Sequence, residues 1–502
     1  MTATAVASTP MMDVLEERFR RAALLSEAQS VLHWDASVTM PRGAAPSRGE
    51  QLAELDVLAH GIIADSSLID LFGAAEAEPL DGWRRANLRE MRRQHVHASA
   101  LPEALVGAMT RAGSACESVW RDARAKSDFA AVLPLFEQVV ALAREAAAAK
   151  AGVLGLSPYD ALLDRFEPDA RIAEIEPVFA ALERFLVDFL PRAEEAQARA
   201  GAPLPLNGPY DLDAQRSLIR DMAGVVGFDF QHGRLDESAH PFSTSWPGDR
   251  RITVRYDEAD PLSALFAVLH ECGHSLYEAA LPKKGLRQPI GAARGMQLHE
   301  SQSLAVEMQV GRSDTFLSFL APRLQQAFDG APEFAADNLA KLVRRVERGF
   351  IRVEADEVTY PLHVILRTRL ERALLSGDLA PRDLPGAWNE GFAALMGRTP
   401  PEDRLGCLQD IHWYDGAFGY FPTYTLGAMS AAQLFQAAQD QDSSIAPAIA
   451  AGDLKPLLAW LGTHVHGLGS SQSTRDILIG ATGRPLEAAA FEQHLQRRYG
   501  GL

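Results

Sequence analysis

In the run PLSALFAVLHECGHSLYEAAL (261 to 281) stand His270, Glu271, Cys272, Gly273 and His274. Two imidazoles four residues apart share one helical face and can close on a single metal ion, with the carboxylate of Glu271 beside them. The plain alternative is a buried helix with two hydrogen-bonded histidines. A catalytic zinc takes three protein ligands and keeps one position for water, so a third ligand is needed. The HExxHxxGxxH pattern would require Gly and His at 277 and 280, where the chain has Tyr277 and Ala280; that class is excluded. Glu278 continues the histidine row, but at a rise of ~1.5 Å per residue it lies about 6 Å beyond His274. The better carboxylate is Glu300, 26 residues past His274 in GMQLHESQSLAVEMQVG (295 to 311). That separation admits a helix, a reversal and a second helix facing the first, giving a His270, His274, Glu300 ligand set. Glu307, two turns on near the same stripe, is the weaker choice, and His299 to Ser303 also reads as a solvated face.

The elements that must hold these groups are mostly helices. Leu262, Leu265, Phe266, Val268, Leu269, Leu276 and Tyr277 make the motif segment strongly apolar, and Pro261 suits a first helical position. RITVRY (251 to 256) alternates enough for a short strand just before that helix. Period-3.6 patterns in residues 15 to 32, 134 to 154 and 176 to 200, rich in Ala, Leu, Glu and Arg, predict an all-α class. Residues 201 to 209 and 398 to 406, rich in Pro and Gly, read as loops. No composition break or repeat divides residues 1 to 502, which read as a single domain.

Composition excludes several function classes. A net charge of −17 argues against nucleic-acid binding, which needs clustered positive charge. Cys116, Cys272 and Cys407 are odd in number and far apart, as expected of a reducing compartment without disulfides. Cys272 points away from His270 on the helix and reads as a packing residue. The N terminus has no continuous apolar core of a signal peptide, and no stretch of about 18 apolar residues occurs. The expectation is a cytoplasmic protein with no membrane contact.

HECGH followed by HESQ resembles the carboxypeptidase Taq family, the M32 metallopeptidases. Four further segments match that family's motifs: HPF (240 to 242), DRRIT (249 to 253), IRVEAD (351 to 356) and GCLQDIHW (406 to 413). The likeness extends to LHWD (32 to 35), MPRGAAPSRGEQLAEL (40 to 55), YDALLDRFEP (159 to 168) and ATGRPL (481 to 486), and so covers the chain. The resemblance implies a carboxypeptidase releasing single C-terminal residues with broad preference, except for proline. It also implies zinc, with cobalt a substitute, and a homodimer. The implied fold is mostly helical, with a small β-sheet beside the active site. Its two lobes flank a long substrate groove, as in neurolysin and angiotensin-converting enzyme.

Within that expectation the residues acquire roles. Glu271 is the general base. Tyr420 and Tyr424, in GAFGYFPTYTLG (416 to 427), are phenols able to stabilise an oxyanion, with Tyr420 slightly favoured; either also reads as a core or rim aromatic. His240, held extended before Pro241, is a second donor or a loop histidine. Arg352, aided by His412, is the candidate for the substrate's terminal carboxylate, for which a guanidinium offers two parallel donors. Against this, Arg344, Arg345, Arg348 and Arg352 read as sharing a long helix with Glu347, Glu354 and Asp356, where ion pairing alone explains them. Asp249 and Arg251 read as an internal pair, and the edge of RITVRY as one that could pair with an extended peptide. Rival readings are an oligoendopeptidase or dipeptidyl carboxypeptidase on the same scaffold, and a noncatalytic peptide-binding protein that keeps a metal.

Overall fold

A computed structural model describes residues 9 to 501 of the chain. The reading of residues 1 to 8 as free of an apolar leader lies outside the described residues. Helices dominate and a single three-stranded sheet accompanies them among the described residues, in agreement with the all-α expectation. The elements used below are helices α1 (Pro10–Val38), α2 (Phe129–Leu154), α3 (Pro158–Phe166) and α4 (Ile172–Ala200), strands β1 (Gly233–Glu237), β2 (Ser243–Trp246) and β3 (Asp249–Val254), and helices α5 (Pro261–Ala279), α6 (Gly295–Leu304), α7 (Tyr360–Ser376), α8 (Pro422–Gln441) and α9 (Ala488–Tyr499). The three periodic runs fall in α1, α2 and α4, and residues 201 to 209 carry no regular element. No single described helix is long and apolar enough to cross a membrane.

The chain divides into two compact units. One comprises Met1–Ser99, Gly208–Arg294 and Ala438–Ala481. Part of its core joins Met12, Leu15 and Phe19 of α1 to Leu68, Phe72, Leu88 and Met91, each buried side chain contributing roughly 1.5–3 kcal/mol. Its sheet has the order β1-β3-β2, with β3 parallel to β1 and antiparallel to β2, so that Ile252 lies opposite both Leu235 and Ser243. This corrects one expectation: RITV is the central strand, its backbone bonded on both sides, and offers no edge to a peptide. Arg251 does pair with Asp249 at 2.7 Å, and its guanidinium stacks between Trp34 (4.4 Å) and Trp246 (4.9 Å). Packed on β3 and β2 is α5, which starts at Pro261 because the Asp260 carboxylate accepts the N–H groups of Leu262 and Ser263 (3.0 and 3.2 Å). Cys272 is buried on that helix and packs as a small apolar residue; all three cysteines are free and buried.

The other unit comprises Ala100–Asn207, Gly295–Ala437 and Thr482–Leu502. Its core gathers Phe136 of α2, Leu182, Leu186 and Phe189 of α4, and Trp388, Phe392, Trp413 and Phe421. The second motif segment is helical as expected, but after Leu304 it widens into a π-helix, Ala305–Val310. The long helix expected through Arg344 to Asp356 is absent. Helix Ala336–Val343 ends there, and Arg352 sits on a 3-10 turn, Arg352–Glu354. Side chains from elsewhere bond the backbone in place of a helix's own carbonyls. Gln197 takes the N–H of Val346 (2.8 Å), Asp356 that of Glu347 (3.0 Å), and Gln409 that of Arg352 (2.8 Å).

Candidate active site

On α5 the rings of His270 and His274 lie 4.9 Å apart at 82°, one turn above the other, as their spacing predicts. Among the described residues one group of side chains is arranged to hold a metal: His270, His274 and Glu300, whose ligand atoms all lie within 4.8 Å of one another. Two imidazole nitrogens and a carboxylate oxygen suit a divalent ion such as zinc, so the donor set fits the implied metal. Glu271, next to the first histidine, is buried at 7% exposure.

Glu300 is held closely on its own side. Helix α6 begins at Gly295, in the left-handed region at φ +66, where a Cβ would come within 2.7 Å of a carboxylate oxygen of Glu167. That fully buried carboxylate accepts the N–H of Gln297 at 2.7 Å, satisfying a free donor at the positive end of the helix. Ser303 donates its hydroxyl to Glu300, at 2.6 Å to the backbone carbonyl and 3.1 Å to Oε2. Across from it, Gly427 of α8 is so near that a Cβ there would stand 2.8 Å from both Cβ and Cγ of Glu300. Glu307, the weaker alternative, is instead paired with Arg312 at 2.8 Å. The π turn explains this, because its wider winding rotates residue 307 off the row that an α-helix would have continued.

A second cluster brings together Arg352, His412, Tyr420 and Tyr424. Arg352, 5% exposed, gives Nε and Nη2 to Asp410 Oδ1 (3.1 and 2.8 Å), and its Nη1 to the Tyr360 hydroxyl at 3.3 Å. Arg367 of α7 meets the other oxygen of Asp410 at 2.6 Å. Burial favours the neutral acid, yet Arg367 and Arg352 together hold the Asp410 carboxyl well below the usual range. Burial also pulls the His412 imidazole down to about 4, so it is neutral at pH 7. The cluster therefore carries two guanidinium charges against one carboxylate, an excess of one positive charge. The Arg352 guanidinium lies 4.7 Å from the Tyr424 ring, and His412 Nε2 is 3.4 Å from the Tyr424 hydroxyl, while the buried His412 Nδ1 has no hydrogen-bond partner among the described residues. The Tyr420 and Tyr424 rings lie 5.2 Å apart, and burial pushes both phenols up, with the charge of Glu300 adding to the rise. Tyr424 is in the first turn of α8, and Tyr420 precedes that helix. His240 stands exposed between β1 and β2, its carbonyl accepting from Ser238 at 2.6 Å.

Comparison with known proteins finds relatives along nearly the whole chain. The family described as Carboxypeptidase Taq (M32) metallopeptidase matches residues 14–499. Thermostable carboxypeptidase 1 of Thermus thermophilus is 38% identical over 499 residues, covering 96% of this chain and 97% of its own. Metallocarboxypeptidase 1 of Trypanosoma cruzi superposes with a TM-score of 0.96 at 38% identity, over 98% of this chain and 100% of its own. The M32 carboxypeptidase from Deinococcus radiodurans R1 gives 0.92 at 31% identity, over 98% and 99%. The chain belongs to the M32 family of metallocarboxypeptidases. In this M32 chain the candidate residues are contacted by others to which the sequence alone assigned no role: Asp410, Arg367, Tyr360, Glu167 and Gly427. A signal for Arg367 was present in PLHVILRTRLERALL (361 to 375), where His363, Arg367 and Glu371 recur every fourth residue in an otherwise largely apolar helix.

Proposed function

We propose that this M32 carboxypeptidase removes single amino acids from peptide C termini with broad preference, proline excepted, using His270, His274 and Glu300 to hold zinc, or cobalt in its place. The convergence of those three side chains, with Glu271 adjoining the first, is the observation that carries the reading. When bound, the metal polarises the scissile carbonyl and lowers the pKa of its water towards ~7. Glu271 takes the proton from the attacking water and delivers it to the departing amine. Tyr420, with His240 as a second donor, stabilises the oxyanion that forms as water adds. The positive excess at Arg352, Asp410 and Arg367 attracts the substrate's terminal carboxylate, with Arg352 Nη1, His412 and the Tyr424 hydroxyl as its nearest donors. We also propose that residues 1 to 502 act as one catalytic domain of two lobes, in a cytoplasmic homodimer.

The test uses one short peptide with a free or an amidated C terminus, with wild type and Glu271→Gln. Single residues should be released from the free peptide alone, and the variant should lose roughly 10²–10⁴-fold in kcat while keeping its metal. Internal cleavage, dipeptide release, or an undiminished variant would overturn the reading.

A further inference from the structure

We propose that Glu371 is a positioning residue for hydrolysis: its buried carboxylate fastens both ends of the loop from Trp413 to Gly419 and so sets where His412 and Tyr420 stand. The inference rests on the roles proposed above for those two residues and extends them to a group that touches no substrate.

Glu371 lies on α7 at 0% exposure. Three donors meet it. Tyr159 of α3 gives its hydroxyl to Oε1 at 2.7 Å, Trp413 its indole N–H to Oε2 at 3.0 Å, and Gly419 its backbone N–H to Oε1 at 3.0 Å. Among the described residues no cation bonds to it. A carboxylate buried without a counter-ion is costly, and an apolar residue in its place would leave those donors unsatisfied. The identity of two donors gives the arrangement its meaning: Trp413 directly follows His412, and Gly419 directly precedes Tyr420. Between them the loop closes on itself, the Ala417 N–H donating to the His412 carbonyl at 2.7 Å. At Gly419, in the left-handed region at φ +88, a Cβ would lie 2.9 Å from the backbone of Leu162 and Leu163. Glycine thus lets the chain press onto α3 while its N–H reaches Glu371. Tyr420 then leaves with its ring against Phe166 of the same helix, 5.0 Å between centroids. One turn earlier on α7, Arg367 holds Asp410. A single face of α7 therefore places Asp410, His412 and Tyr420 together.

Glu371→Gln keeps the side chain's length but replaces one acceptor oxygen with a donor, so at least one end of the loop is released. Displacements of about 1 Å far from the reacting atoms can cost roughly 10²-fold. The experiment is a double-mutant cycle on metal-loaded enzyme, with Glu371→Gln, Tyr420→Phe and their combination, reading kcat per bound metal on a free-C-terminal peptide. Tyr420→Phe alone should lower kcat about 10-fold or more. Glu371→Gln alone should lower it by about 10-fold, no more than Tyr420→Phe itself does, and by less than about 3-fold once Tyr420 is Phe. An undiminished second loss in the Tyr420→Phe background overturns the positioning role and leaves Tyr420's own role intact. A silent Tyr420→Phe overturns the reading of Tyr420 and this inference with it. Should Glu371→Gln not fold, Tyr159→Phe withdraws one donor and keeps the ring. Its expected loss of about 3-fold should vanish in the same background, and a wild-type kcat or an additive loss overturns the inference.

Discussion

Replacing Gly427 with alanine tests how Glu300 is held. The new methyl would stand 2.8 Å from Cβ and Cγ of Glu300 and 3.3 Å from the Gln297 carbonyl oxygen. Carbon atoms in contact prefer about 3.5–4.0 Å, so α8 must retreat, or Glu300 must swing, by roughly 0.7–1.2 Å. Overpacking of this kind costs about 1–3 kcal/mol, offset by the ~0.5–1 kcal/mol that alanine gains over glycine inside a helix. Fold stability should therefore fall only modestly. The ligand geometry should suffer more, since metal–oxygen distances tolerate about 0.2 Å. We expect Gly427→Ala to bind metal about 10–100-fold more weakly, as when a ligand loses its supporting partners. Competition against a chromophoric chelator measures this, with circular dichroism confirming that the apo form is folded. A folded variant with wild-type metal affinity would refute the claim that close approach of α8 places Glu300.

Two further outcomes concern buried charges. Burial pushes the Glu371 carboxyl from 4.5 up to about 7. A raised carboxyl stabilises the fold at low pH and loses that contribution as pH rises, so wild type should lose stability relative to Glu371→Gln between about pH 4.5 and 7, by up to ~3 kcal/mol. Chemical denaturation across that range checks it, and a pH-independent difference would count against the buried ionisation. Asp410→Asn leaves the guanidiniums of Arg352 and Arg367 buried without their counter-ion and should cost about 3–5 kcal/mol. A shift in the denaturation midpoint worth less than ~1 kcal/mol would show that Asp410 does not carry both.

Where a motif and its local helix coincide, the sequence was readable. Pro261 and the apolar face of α5 specify a helix through short-range rules, and the four-residue spacing of His270 and His274 then fixes their common side. Glu300 was reachable because its helix comes within one reversal of α5. Arg352 was misplaced because the bonds that shape residues 344 to 352 come from Gln197, Asp356 and Gln409, none of them at a helical spacing. RITV was recognised as a strand, but its place between β1 and β2 depends on pairing, which alternation does not encode. Asp410 lay inside a recognised motif, yet its meaning came only from Arg367 on another helix. Gly427 has no side chain to notice; its importance lies in what approaches it.

The π turn after α6 also has a consequence for how the segment tolerates changes in length. An α-helix rotates ~100° per residue, so its side-chain directions are strictly tied to count, whereas a π turn absorbs a residue that an α-helix would not. Deleting one residue within Ala305–Val310 would let the stretch rewind as α-helix, leaving Glu300 upstream and the residues beyond Val310 pointing as they do now. The segment thus acts as a slack turn, where a change in residue count is taken up without moving Glu300.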